Sequence, residues 1–273
     1  MMEAKIRKPA VAGSFYAGDA KELRQDVQNC FSRCKNPLME NVQAVIVPHA
    51  GYVFSGVTAA SAFAAINPDA EYEHIFLLGP SHHVYLGKAS VNIGASAYAT
   101  PLGNVPVDTA LCKDLMEKSD AITYAQEAHG SEHCLEVELP FLQYHMKKIP
   151  SIVPIIIATQ ELTTLKKIAD TLKSYLNEKN LFIISSDFSH YPAYKDAEIV
   201  DGLTKDSIMT GKVEAFVNAT LHNQELGIDH LATSACGMAP IATLLMMTEN
   251  DANIKPHHVM YCNSVDSPFG GKD

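Results

Sequence analysis

The chain has 273 residues, 47% of them hydrophobic and 19% charged, which excludes a largely disordered protein and leaves ample length for a buried core. Its 31 acidic residues outnumber 21 basic ones, for a formal charge of −10. A surface of that sign is repelled by phosphate backbones and anionic lipid, so no nucleic acid and no membrane is expected as a partner.

In chain order, hydrophobic periodicity predicts a helix over Ala20–Arg33, a strand over Gln43–Val47 and a helix over Gly56–Ala65. Strands follow at His74–Leu78 and Ala89–Ile93, then helices at Thr109–Lys118 and Leu135–Lys147. A strand at Ile152–Ala158, a helix at Leu162–Glu178 and a strand at Leu181–Ser185 come next. Helices at Ala197–Thr210, Val213–Thr220 and Cys236–Thr248 and a strand at Val259–Asn263 complete the pattern, with Tyr191–Ala197 as an irregular loop. Asp19, Ser55, Asp108 and Ser234 stand where N-cap oxygens are wanted. The strands are nearly continuously apolar and β-branched, as strands buried on both faces are. The expected fold class is α/β, with a mainly parallel central sheet covered by helices on both faces and one domain over residues 1–273. Met1–Gly18 lacks the apolar core of a signal peptide, and stretches such as Ile152–Ala158 are too short to span a bilayer. The 6 cysteines are scattered without a CxxC pair, which points to a reduced, cytoplasmic protein. Cys30 and Cys34 lie four apart on a predicted helix, too little to define a metal or redox site.

The polar residues fall where a strand ends. Val45-Ile46-Val47 runs into Pro48-His49-Ala50-Gly51-Tyr52. Ile75–Leu78 runs into Gly79-Pro80-Ser81-His82-His83, and Phe182-Ile183-Ile184 into Ser185-Ser186-Asp187-Phe188-Ser189-His190. Ligands of open α/β sheets bind outside the carboxyl ends of the strands, so these groups meet in one crevice if the three strands are neighbours. Two imidazoles plus one anionic ligand suit iron, copper or zinc. Asp187 is one candidate for the anion and Cys236 the other, since Cys236 precedes an apolar helix whose N-terminus favours a thiolate. Taken singly, each of these residues is more often structural; it is their recurrence at three strand ends that argues for a site.

A second pattern, His129-Gly130-Ser131-Glu132-His133, fits the H-x-x-E-H spacing of inverzincins. That chemistry requires one continuous helix, and Gly130-Ser131 interrupts it. The remaining reading places His133 and Glu136 along the crevice as orienting or substrate-contacting groups. Arg7–Tyr16 is either an arm folded across the site or a surface segment, and His74 starts its strand at the wrong end.

Together, Pro48–Tyr52, Gly79–His83, Glu132-His133-Cys134-Leu135-Glu136, Ser185–His190 and Cys236-Gly237 with Pro240 resemble the Memo family, whose prokaryotic members are labelled AmmeMemoRadiSam system protein B. The resemblance runs from Arg7 to Asp266. The family is similar in fold to the catalytic subunit of class III extradiol dioxygenases, which are non-haem iron enzymes. By that resemblance His49 and His82 correspond to metal ligands, Cys236 falls where the dioxygenases carry a carboxylate, His190 matches their acid/base histidine, and Asp187 lies beside the pocket. The resemblance implies an Fe or Cu ion, with Zn as a further choice, and redox chemistry. It also implies recognition of phosphorylated peptides, as for an animal member, and radical-SAM and AMMECR1-like proteins as partners. Two departures stand out. Glu132-His133-Cys134 has a thiol where the family often has Ser, and the chain ends at Gly270-Gly271-Lys272-Asp273 where a further strand is expected. A thiolate at Cys236 also shifts preference towards copper or zinc and is readily oxidised beside an O2-activating iron.

These residues support three functions: a metal-dependent, dioxygenase-like oxidoreductase with His49, His82 and Cys236 on the metal and Asp187, His190 and His133 around the substrate; a binding module using the same crevice for a peptide or partner protein; and, ranked last, a hydrolase that depends on metal or on Cys236.

Overall fold

The computed structural model describes residues 5–34 and 38–267. The elements in order are β1 (Lys5–Arg7), α1 (Ala20–Ser32), β2 (Ala44–Val47), α2 (Tyr52–Ala64), β3 (His74–Pro80), β4 (Lys88–Val91), β5 (Ala95–Thr100) and β6 (Gly103–Pro106). They continue with α3 (Thr109–Lys118), β7 (Ile122–Thr123), α4 (Leu139–His145), β8 (Ile152–Ala158), α5 (Leu162–Leu172) and β9 (Asn180–Ser185). Three helices, α6 (Tyr194–Met209), α7 (Val213–Glu225) and α8 (Met238–Thr248), follow.

Six strands form the central sheet in the order β2-β9-β3-β8-β4-β7. β2, β9, β3 and β8 are mutually parallel, β4 runs antiparallel to β8, and β7 runs parallel to β4. Every residue of β8 and β9 is buried, as are Ile75–Pro80 of β3, so both faces of the middle of the sheet are covered. The helices α1, α2 and α4 pack together as one group, and α8 joins α5, α7, β3 and β9 in another. The mainly parallel α/β architecture is therefore as expected. A second sheet, β1-β5-β6, was not anticipated, because Ala95–Pro106 alternates weakly and its strands are only six and four residues long.

Three local expectations fail for long-range reasons. α2 starts one turn before Ser55, because the Phe15 carbonyl accepts from Tyr52 N–H at 2.8 Å and takes the place of a side-chain cap. α8 starts after Gly237 and not at Ser234, because Ser186 Oγ accepts from Gly237 N–H at 2.9 Å and the Asp187 carbonyl accepts from Cys236 N–H at 3.3 Å. Val259–Asn263 is not a strand. Its groups bond sideways to helices, with Thr58 Oγ1 at 2.7 Å from Cys262 Sγ and Tyr261 OH donating to Asp201 at 2.8 Å. Together with Ala44, Val45 and Ile46 of β2 it lines a groove of about 1300 Å³. Asp19 and Asp108 do cap α1 and α3. The chain end at Gly270–Asp273 lies outside the described residues.

Candidate metal centre

Because β2, β9 and β3 are adjacent in the sheet, the segments after their carboxyl ends converge. His49, His82 and Cys236 each bring one donor atom within 4.8 Å of the others, and so do Asp187, His190 and Cys236. His49 Nε2 lies 3.2 Å from Cys236 Sγ and 3.8 Å from an Asp187 oxygen. The His49 and His82 rings meet edge to face with centroids 5.2 Å apart. All six residues singled out from the sequence thus gather here, since His133 stacks on His82 at 4.7 Å and meets His49 at 5.5 Å.

Buried groups beneath the rings set their tautomers. His49 is 2% exposed, and its Nδ1 is 2.7 Å from Ser185 Oγ. That hydroxyl donates to the Cys134 carbonyl at 2.7 Å, so His49 Nδ1 carries the proton and Nε2 faces Cys236 with a free lone pair. Glu138 lies 3.1 Å from the same hydroxyl and is fully buried. Burial, aided by the nearby Asp187 charge and only partly opposed by the Ser185 hydrogen bond, raises its carboxyl well above the usual range and keeps it neutral. On the other imidazole, His82 Nδ1 donates to Glu132 Oε1 at 2.9 Å, so that in the neutral ring the lone pair lies on Nε2.

Glu132 also accepts from the backbone N–H groups of His82 at 2.8 Å, His133 at 2.8 Å and Cys134 at 3.1 Å. Burial alone would raise its pKa, but the hydrogen bonds from His82 and Cys134 overcome it and hold the carboxylate well below the usual range. Burial lowers the pKa of His49 to about 4, so this imidazole is neutral at neutral pH. Burial, reinforced by the Asp187 charge, pushes the Cys236 thiol up to about 12. The thiolate expected from the helix terminus is therefore disfavoured by burial, and a bound cation would favour it.

The second pattern separates cleanly. His129 is 3% exposed and points into the core, with Nε2 3.0 Å from Ser90 Oγ and Nδ1 3.2 Å from Tyr98 OH. Residues 129–133 form no helix, so an inverzincin arrangement is absent there. Glu136 does not line the crevice. It is fully buried and ties down the arm, pairing with Arg7 at 2.7 Å and accepting from Ala10 N–H at 2.7 Å, Val11 N–H at 3.1 Å and Tyr16 OH at 2.6 Å. The arm accordingly folds against the site, where Phe15 meets the His133 ring at 4.8 Å. Cys134 packs fully buried against Gly79, where a Cβ would collide with its sulfur and stand 2.8 Å from Leu135 Cδ2. Gly237 is needed similarly, since a Cβ there would stand 2.6 Å from Ser186 Oγ.

Ser185, Glu132 and Glu138 carry the orientation of the histidines and were not assigned roles from the sequence. A signal was present: three carboxylates at positions 132, 136 and 138 within an otherwise apolar stretch. A cavity of about 560 Å³ opens beside the centre, lined by His82, His83, Ser81, Thr159, Gln160 and Cys236.

The fold and this cluster define an α/β protein whose reactive side chains gather at the carboxyl edge of a parallel sheet. The Memo-like protein profile matches residues 7–268, and the chain belongs to that family. It is similar to a MEMO1 family protein of Aeropyrum pernix, at 34% identity over 96% of this chain and 94% of the relative. Further relatives are MEMO1 family proteins of Nitrosopumilus maritimus (32% identity, 96% and 94% coverage) and Methanosarcina mazei (32%, 98% and 96%). A crystal structure of an uncharacterized protein from Escherichia coli K12 aligns with TM-score 0.49 and 16% identity, over 75% of this chain and 88% of that one. No helix among the described residues is long and apolar enough to cross a membrane.

Proposed function

We propose that this member of the Memo-like family is a metal-dependent, dioxygenase-like oxidoreductase in which His49, His82 and Cys236 hold one Fe or Cu ion. The observation that carries the reading is the pair of pinned imidazoles. Ser185 fixes His49 and Glu132 fixes His82, each through Nδ1, which leaves both Nε2 atoms for other partners, and His49 Nε2 lies 3.2 Å from the Cys236 sulfur. Metal-binding histidines are typically oriented in this way by a partner on the second nitrogen. Two imidazoles and a thiol suit copper, iron or zinc. Bound there, any of these ions would supply Lewis-acid chemistry, and iron or copper would also supply one-electron chemistry, to a substrate in the adjoining cavity.

The chain's own residues do the rest. Asp187 is held by the N–H groups of His49 at 2.9 Å and Ala50 at 3.3 Å, which places its charge beside His49 Nε2. His190 is oriented by its Nδ1 contact to the Phe188 carbonyl at 2.9 Å and presents the other nitrogen as the group that takes or gives a proton. His133 and Phe15 pack together along one side, with ring centroids 4.8 Å apart. Cys-based hydrolysis is disfavoured, because a thiol whose pKa is raised to about 12 is a poor nucleophile.

The test is metal analysis of protein purified without oxygen, beside His49→Ala and Cys236→Ser. Stoichiometric Fe or Cu in the parent, lost in both variants, is the expected result. Unchanged content in either variant removes that residue from the ligand set. The second reading, a binding module for an extended peptide or partner protein, is favoured by the groove of about 1300 Å³ that begins at Asp187 and His190 and follows β2. Peptide binding that persists after the metal is stripped supports it. Radical-SAM and AMMECR1-like proteins are the partners to try first.

A further inference from the structure

The central sheet has two edges, and they are finished differently. At one, β7 is only two residues long, which leaves almost nothing to pair. At the other, β2 is a four-residue apolar run, Ala44-Val45-Ile46-Val47, in unbroken register with β9. It carries none of the devices that blunt an exposed edge: no charge, no proline, no bulge. Its peptide groups divide by parity. The carbonyls of Gln43 and Val47 accept from Phe182 N–H and Ser186 N–H, each at 2.8 Å. Peptide groups alternate in direction along a strand, so Val45 also faces β9, and Ala44 and Ile46 face the open side. No described strand pairs with that side.

The open side of β2 is the groove of about 1300 Å³. Residues 253–264 line it too, and among the described residues the backbone of 255–262 makes no hydrogen bond. Ala62 of α2 and Ile208, Leu244 and Leu245 of α6 and α8 supply apolar surface to it. A segment lying there is thus apolar along its length, as strands buried on both faces are. Unpaired peptide groups beside apolar walls are costly, and an extended chain is the element whose own groups match theirs in spacing. Six carboxylates stand against three lysines in the lining, which favours basic residues at the ends of the occupant.

We propose that the outer edge of β2 takes one extended, apolar strand with basic flanks from another polypeptide, which joins the central sheet beside β2. The inference rests on the binding-module reading above and sharpens it from a groove to a pairing. Main-chain hydrogen bonds to Ala44 and Ile46 supply affinity, and the apolar walls select small and β-branched side chains. His49, His82 and Cys236 do not line the groove, so the pairing needs no metal.

The probe is the peptide Lys-Val-Val-Ala-Val-Val-Lys, blocked at both ends and titrated into the metal-stripped full chain. Binding should protect the Ala44 and Ile46 amides from hydrogen exchange and leave that of Val45, already turned to β9, as it was. N-methylating alternate peptide residues along one edge, then along the other, should weaken binding at least about tenfold in one case or both, the scale of two lost backbone hydrogen bonds. Glutamate in place of both lysines should weaken it at low salt, and equal affinity there would strike the basic flanks. No binding, binding that leaves Ala44 and Ile46 unprotected, or equal affinity after either methylation would each overturn strand addition. In the last two cases the peptide still binds, and the broader binding-module reading stands. A chain that dimerises without peptide and protects the same two amides would give the edge to a second copy instead.

Discussion

Strand β3 carries a histidine at each end, and the two have opposite fates. His74, at the amino end, faces Asp108 Oδ2 at 3.4 Å without a hydrogen bond, while Asp108 Oδ1 caps α3. His82, past the carboxyl end, meets an ionised Glu132 that is 3% exposed and already holds three backbone N–H groups. The residue type is the same and so is the strand. The difference is that β2, β9 and β3 are parallel neighbours, so their carboxyl ends deliver three loops to one place. The loop of residues 129–138 closes over them and supplies a buried floor of carboxylates. Such a floor fixes the Nδ1 of His82 and leaves its other nitrogen facing away from Glu132, as metal-ligating histidines are typically oriented.

The comparison can be broken from beneath. Arg7→Ala leaves Glu136 buried without its guanidinium, and removing one partner of a buried pair costs about 3–5 kcal/mol, read as a shift in the chemical denaturation midpoint. A loss within about 1 kcal/mol would show that the arm does not hold the floor. Glu132→Gln should weaken metal retention about 10- to 100-fold while the fold persists, because His82 loses the carboxylate that sets its tautomer. Competition with a chelator measures it, and unchanged retention would make Glu132 a purely structural group.

Glu138→Gln tests the neutral carboxyl. An acid whose folded pKa lies above its unfolded value keeps an extra proton in the native state. Its contribution is fully present below the ordinary value of 4.5 and is lost as pH rises towards the higher folded pKa. The parent should therefore lose stability as pH rises above 4.5 towards the folded pKa, and the variant should show a flatter profile in melts at stepped pH. At neutral pH the variant should be the more stable of the two, and the gap should close as pH falls towards 4.5. The smallest effect belongs to the other end of β3: His74→Ala should change stability by about 0.5 kcal/mol or less and leave metal content untouched.

Much of this was legible in one dimension. The strand–helix alternation, the parallel sheet and the His49, His82, Asp187–His190 and Cys236 segments follow from local apolar periodicity and from polar residues placed just after buried strands. The misplaced starts of α2 and α8 show the limit, since their first amides are satisfied by Phe15, Ser186 and Asp187, none of them sequence neighbours of those helices. Val259–Asn263 reads as a strand by composition, yet its groups bond to α2 and α6.

By itself the sequence determined which segments are apolar, where they stop, and which reactive side chains stand at their ends, because each of these depends on residues a few positions apart. Only the tertiary structure decided that His49 and His82 are held by Ser185 and Glu132, and that Glu136 anchors the arm rather than lining the crevice. Those facts depend on which buried groups are brought within hydrogen-bond reach across 50 to 136 residues of chain, and on the dry surroundings that give such contacts their strength.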